Sequence, residues 1–183
     1  MPVKPNFNPD YLYFITTTVV NHIHLFKRED FIRIILDSFH YLRTVKRIQF
    51  FVFVIMPNHI HFIARFQDDY TLSDAMRDFK RHTARQIIRQ LQIENNKKIL
   101  DLLRRANKDK SQNFKVWGDR YDAREVFSIE FLEQKMNYIH YNPCQPHWKL
   151  ADLPEEYLWS SARLYLTGKP AVISVDDLRD LFI

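Results

Sequence analysis

Residues 48–66 read IQFFVFVIMPNHIHFIARF. The first part, IQFFVFVIM (48–56), is apolar, aromatic and β-branched with no breaker, and it reads as a buried strand. Pro57-Asn58 interrupts the run, and HIHFIARF (59–66) reads as the next strand, so the whole stretch is a predicted β-hairpin. Side chains i and i+2 of a strand share a face. His59 and His61 therefore project together while Ile60 projects to the other layer, which is the geometry two imidazoles need to reach one cation.

Outward from the hairpin, YLYFITTTVV (11–20) reads as another strand. Asp30 precedes a helical pattern carried by Phe31, Ile34, Ile35, Leu42 and Val45, with Asp30 as its N-cap. Leu72, Ala75, Met76, Phe79, Ala84, Ile87, Ile88 and Leu91 mark a second long helix. Residues 92–112 are polar and basic, expected to be helical in parts and mobile. Ser128 caps a third helix through about Tyr141, which Pro143 stops. The order β-α-β-β-α, then more, predicts an α+β fold: a small antiparallel sheet with helices packed on one or both faces. Residues 1–143 are read as the main domain and 144–183 as a C-terminal tail packed on or near it.

At 183 residues the chain is one compact domain, and 46% hydrophobic with 15% aromatic residues leaves ample material for its core. Its only two glycines, Gly118 and Gly168, exclude glycine-rich phosphate loops. The single cysteine, Cys144, excludes an internal disulfide and any multi-cysteine zinc site. The start, MPVKPNFNPD, has no apolar signal core, and the longest strongly apolar run (50–56) is too short to span a membrane, so a cytoplasmic protein is expected. Charge is informative through its placement. Residues 77–110 hold eleven basic and four acidic residues, against three and six in 150–183, which makes the middle of the chain a candidate polyanion surface. A solvated basic helix face accounts for the same pattern.

The tetrapeptide NHIH occurs twice, as Asn21-His22-Ile23-His24 and Asn58-His59-Ile60-His61. The second copy lies between two strand segments; the first sits where a strand should give way to a KRED turn, so His22 and His24 read as loop residues. Two histidines leave most of a cation's coordination open, so a real site needs a third ligand. MNYIHYNPCQ (136–145) offers candidates: Tyr138 and Asn142 are four apart, hence on one helical face, and are a phenol nucleophile and an oxygen ligand. The residues alone leave open that Tyr138, one of nine tyrosines, packs in the core and that Asn142 caps the helix before Pro143.

VIMPNHIHFIARF, then a basic helix with FKRHTARQI, Trp117, YIHYNP and YLWSSA, in that order over roughly residues 11–165, resembles the REP-associated tyrosine transposases, which belong with the single-tyrosine HUH transposases of small insertion sequences. The resemblance implies a ferredoxin-like or RRM-like antiparallel sheet with packed helices and a C-terminal extension. It implies His59, His61 and Asn142 as ligands of a divalent metal, Mg or Mn, and Tyr138 as the nucleophile, with Tyr121 as the rival. Single-stranded or hairpin DNA is the implied partner, bound by a monomer or homodimer. The implied chemistry is nicking and rejoining through a 5′-phosphotyrosine. Basic residues of the 77–89 helix, Arg77, Lys80, Arg81, Arg85 and Arg89, would meet the phosphates. The first NHIH copy has no family role. After Pro143 this chain departs from the family's usual continuation with CQPHW (144–148), which alters the tail but leaves Tyr138 and Asn142 intact. Two other readings stand beside this one. One is a domesticated, catalytically silent DNA-binding protein of the same fold. The other is an RNA-binding RRM-like module, which needs exposed sheet aromatics and predicts no metal dependence.

Overall fold

In chain order the elements are β1 (Leu12–Thr18), α1 (Glu29–Thr44), β2 (Ile48–Met56), β3 (His59–Phe66), α2 (Leu72–Ile93), α3 (Lys97–Arg105), β4 (Asp122–Val126), α4 (Ile129–Tyr141) and α5 (Ala162–Thr167), joined by short 3-10 turns. They come from a computed structural model that describes residues 7–107 and 113–181. Residues 1–6, 108–112 and 182–183 lie outside the described residues; they include part of the N-terminal start, the end of the basic 92–112 segment and the last two residues of the tail.

The four strands form one antiparallel sheet in the order β2-β3-β1-β4. β2 and β3 are the predicted hairpin, paired from Ile48↔Phe66 to Met56↔His59. The sheet is covered on both faces, which is why β2 shows no simple alternation of apolar and polar residues. A bulge between Phe50 and Val52 switches its phase. Ile48 and Phe50 face one layer; past the bulge that layer receives Phe53 and Ile55. Phe51, Val52, Val54 and Met56 face the other.

The first layer holds α1 and α2. Phe39 stacks on Phe50 (4.4 Å) and Phe79 (4.7 Å), and Ile60, Phe62 and Ala64 of β3 complete the cluster. The second layer holds α4, whose Leu132 and Ile139 pack on Phe14, Phe51 and Ile63. By the period of two, His59 and His61 share the α4 face with Ile63.

One expectation is corrected, and two features of the fold were not predicted. α1 begins at Glu29 with Arg28 at its N-cap; Asp30 lies in the first turn, bound to Arg28 and Gln90. α2 has the side-chain cap that α1 lacks, a Thr71–Asp74 capping box. The β4 strand, DAREV, escaped the sequence reading because three of its five residues are charged. Such charge suits an exposed edge strand. At the opposite edge, residues of the tail cover β2. Ile55 N donates to Trp159 O, Ser161 N to Phe53 O, and Asp176 accepts from Phe50 N while pairing with Arg43.

Candidate active site

β3 carries His59 and His61 to the α4 face with their ring centroids 4.6 Å apart. Each ring is held by its Nδ1. His59 Nδ1 lies 2.6 Å from Asn58 Oδ1, which can only accept, so Nδ1 carries the proton and Nε2 keeps its lone pair. His61 Nδ1 lies 2.8 Å from Thr16 Oγ1, the residue opposite it on β1. These are the outer partners that fix ring orientation in imidazole ligand sites. Burial, with His22 and His147 adding to it, pushes His59 down to about 4. Burial, with His59 and Lys135 nearby, pushes His61 down to about 3. Both imidazoles are therefore neutral at pH 7, the form that binds metals.

α4 runs from its Ser128 cap to the site. Tyr138 in its last turn is 47% exposed, and its Oη lies 3.5 Å from His61 Nε2. Its ring meets His61 edge-on at 5.1 Å. One turn later Asn142 is buried at the helix end, and its Oδ1 has no hydrogen-bond partner. A buried amide oxygen without a partner costs free energy unless something else satisfies it. Neutral imidazole nitrogens and an amide oxygen are donor types that suit a divalent cation. The structure thus gathers His59, His61 and Tyr138 and keeps Asn142 unsatisfied at the end of the same helix.

A buried polar contact ties α4 to the tail through its own His140. His140, buried among apolar groups and pushed down to about 4, pairs through Nε2 with Ser161 Oγ at 2.9 Å. Ser161 Oγ also accepts from Phe53 N at 3.0 Å. The YIHYNP and YLWSSA motifs are thus one joint that binds α4 to the tail and to β2.

Other predicted residues lie elsewhere. Tyr121 packs against the α1–α2 layer and its Oη pairs with Ser73 Oγ (3.3 Å), across the sheet from the histidines. α2 lies on that same far face. On it Arg77 is bound to Asp74 and Asp78, and Arg81 to Asp78. Lys80, pushed down to about 8 by burial, donates to Gly118 O and Arg120 O. Arg85 and Arg89 are exposed, with no ion pair among the described residues. The first NHIH copy lies beside the second: Asn58 Nδ2 donates to His22 O, and His24 and His59 each lie 5.8 Å from the Trp148 ring. Asn21 (φ 50°) and His22 (φ 54°) hold left-handed backbone there.

A sequence profile described as Transposase IS200 like matches residues 10–142. The chain belongs to the IS200-like transposase family. Membership carries a transposase-like function on DNA. The fold agrees with a solved structure described as a REP-associated tyrosine transposase bound to a REP hairpin. That likeness has a TM-score of 0.67 at 13% identity and covers 96% of this chain and 92% of the other. A protein described as a transposase of Deinococcus radiodurans is more distant, with a TM-score of 0.45 at 15% identity, covering 76% of this chain and 95% of the other. No curated protein matches. No helix of the described residues is long and apolar enough to cross a membrane.

Sequence reasoning missed the residues that set the site's geometry. Thr16 lies within a featureless TTT run, and its register against His61 exists only in the sheet. Asn58 had a signal, since it directly precedes His59. Lys135 and Trp148 had none.

Proposed function

We propose that this family member nicks and rejoins single-stranded DNA, with Tyr138 as the nucleophile and a covalent 5′-phosphotyrosine intermediate. The observation that carries the reading is the Tyr138 hydroxyl at the edge of a neutral histidine pair, on a helix that ends in the unsatisfied Asn142 oxygen. A divalent cation, Mg or Mn, held by His59, His61 and Asn142 would polarise a non-bridging phosphate oxygen and offset the charge gained in the transition state.

Tyr138 does the remaining chemistry. Its Oη attacks the phosphorus in line, a Tyr–O–P bond forms, and the P–O3′ bond breaks. Solvent takes the phenol proton and supplies one to the departing 3′ oxygen, which leaves as a hydroxyl. A 3′-hydroxyl attacking the phosphotyrosine reverses the step, so the bond energy is conserved and no nucleotide cofactor is consumed. Partial exposure of Tyr138 leaves the phenol open to the roughly 3–3.5 Å approach that in-line attack needs. Thr16 and Asn58 keep both rings fixed while strands enter and leave. The relative solved with a REP hairpin makes a hairpin with a single-stranded flank the first substrate to try. A cytoplasmic location suits such a substrate.

The test is a denaturant-resistant protein–DNA adduct, formed on hairpin DNA with Mn²⁺ or Mg²⁺. Tyr138→Phe should bind DNA and form no adduct, and Tyr121→Phe should form it normally. An adduct with Tyr138→Phe would overturn the assignment, and the absence of any adduct with the unmodified protein would overturn the reading.

A further inference from the structure

The exposed side of α4 and its lead-in carry a feature that the active-site chemistry does not use. Phe127, just before the helix, is 77% exposed, among the most exposed large hydrophobics of the described residues. An exposed aromatic ring of that size calls for an explanation. Its ring is stacked on Phe131 at 4.8 Å with an interplanar angle of 18°, so one face is held and the outer face is open. Four residues on, Lys135 Nζ lies 5.0 Å from the Phe131 ring centroid, 5.2 Å from Phe14 and 5.8 Å from Tyr138. No carboxylate among the described residues forms an ion pair with Lys135. Positions 131, 135 and 138 follow the i, i+4, i+7 stripe of one helix face. An aromatic platform and a cation with no carboxylate partner among the described residues therefore line up and end at the nucleophile.

Beside Phe127 lies a cavity of about 270 Å³, with Tyr11, Ile129 and Arg65 in its wall. Arg65 shares the β3 face of His59 and His61 by the strand period, and its Nε is buried without a hydrogen-bond partner. Arg65 and Asp10 are the charged residues in that wall. Proteins that grip single strands combine stacking aromatics with cations for the phosphates. A surface for a second protein copy would be better served by apolar residues without an unpaired lysine at its centre.

We propose that Phe127, Phe131 and Lys135 form the track for the single strand that leads to Tyr138, with an unpaired base stacked on the outer face of Phe127 and a backbone phosphate beside Lys135. The assignment rests on Tyr138 as the nucleophile only for its direction. Stacking is indifferent to base identity, so the track orients the strand and leaves sequence choice to other contacts.

The test measures binding of a fluorescent single-stranded oligothymidylate and of a blunt duplex of equal length, without chemistry. Phe127→Ala removes an exposed ring, so the thermal midpoint should be unchanged, while single-strand affinity should fall roughly 5- to 150-fold, the worth of one stacked base. Phe127→Trp should restore it, and duplex binding should not respond. Lys135→Gln should reduce the single-strand salt slope by about 0.7. The proposal is overturned if Phe127→Ala binds the oligothymidylate as the unmodified protein does. It is also overturned if duplex binding falls equally, or if the variant instead changes the protein's elution volume, which would make the patch a contact between copies. The two readings separate cleanly. Loss of single-strand binding in Phe127→Ala without any adduct from the unmodified protein keeps the track and refutes nicking. A normal adduct with indifferent single-strand binding does the reverse.

Discussion

Ser161→Ala removes one oxygen from a fully buried joint, and the structure allows its cost to be worked out. Ser161 Oγ accepts from Phe53 N at 3.0 Å and pairs with His140 Nε2 at 2.9 Å. Phe53 O keeps its partner, because Ser161 N still donates to it. The substitution therefore strands two groups, the Phe53 N–H and one His140 nitrogen, both within buried residues. Each unsatisfied buried group costs about 1–3 kcal/mol, so the expected loss is about 2–6 kcal/mol, a large part of the roughly 5–15 kcal/mol that a domain commands. Urea unfolding should show a lower midpoint with an unchanged slope. His140→Leu placed on top of Ser161→Ala removes the stranded imidazole at nearly constant volume. It should recover about 1–3 kcal/mol relative to Ser161→Ala alone. A single-variant loss below about 1 kcal/mol, or a double variant no better than Ser161→Ala, would refute the view that this joint is held by paired polar groups.

Acid should destabilise the protein before its carboxylates titrate. His59, His61 and His140 are held neutral at about 4, 3 and 4, below the ordinary histidine value, so the unfolded chain binds more protons than the folded one as pH falls below about 6.5. Stability is complete above that value and declines toward pH about 4, by at most about 1.4 kcal/mol per pH unit for each histidine; a thermal midpoint flat over this window would contradict the burial argument. Mn²⁺ should raise the thermal midpoint of the unmodified protein by mass action, and His61→Ala should abolish that rise while Tyr138→Phe keeps it. Arg85→Ala with Arg89→Ala should flatten the salt dependence of single-strand binding by about 1.4, one phosphate contact for each, whereas Lys80→Ala, whose ammonium is tied to the loop carbonyls of Gly118 and Arg120, should act mainly on stability. An unchanged slope in the double variant would remove α2 from the DNA surface.

Local pattern was enough to read the hairpin 48–66, the α2 core stripe, the Ser128 cap of α4 and the shared face of His59 and His61, because each follows from a period of two or of 3.6 within one segment. Those periods also put Tyr138 and Asn142 on one side of α4. What they could not supply was distance between segments. That α4 lies over β3 with the Tyr138 hydroxyl at His61 depends on two covered sheet faces, the bulge that re-phases β2, and the His140–Ser161 joint to a tail 21 residues further along. The first NHIH copy is chemically identical to the second, yet it was drawn into left-handed turns beside Trp148 because β1 ends at Thr18. β4 stayed hidden because an edge strand takes its stability from the backbone pairing of its neighbour, which no side-chain pattern in DAREV records. The basic stripe of α2 was legible as charge, but only packing decided that its apolar side faces the layer opposite the histidines. Side-chain periodicity is a property of one segment; which segments meet is decided by the burial of all of them at once.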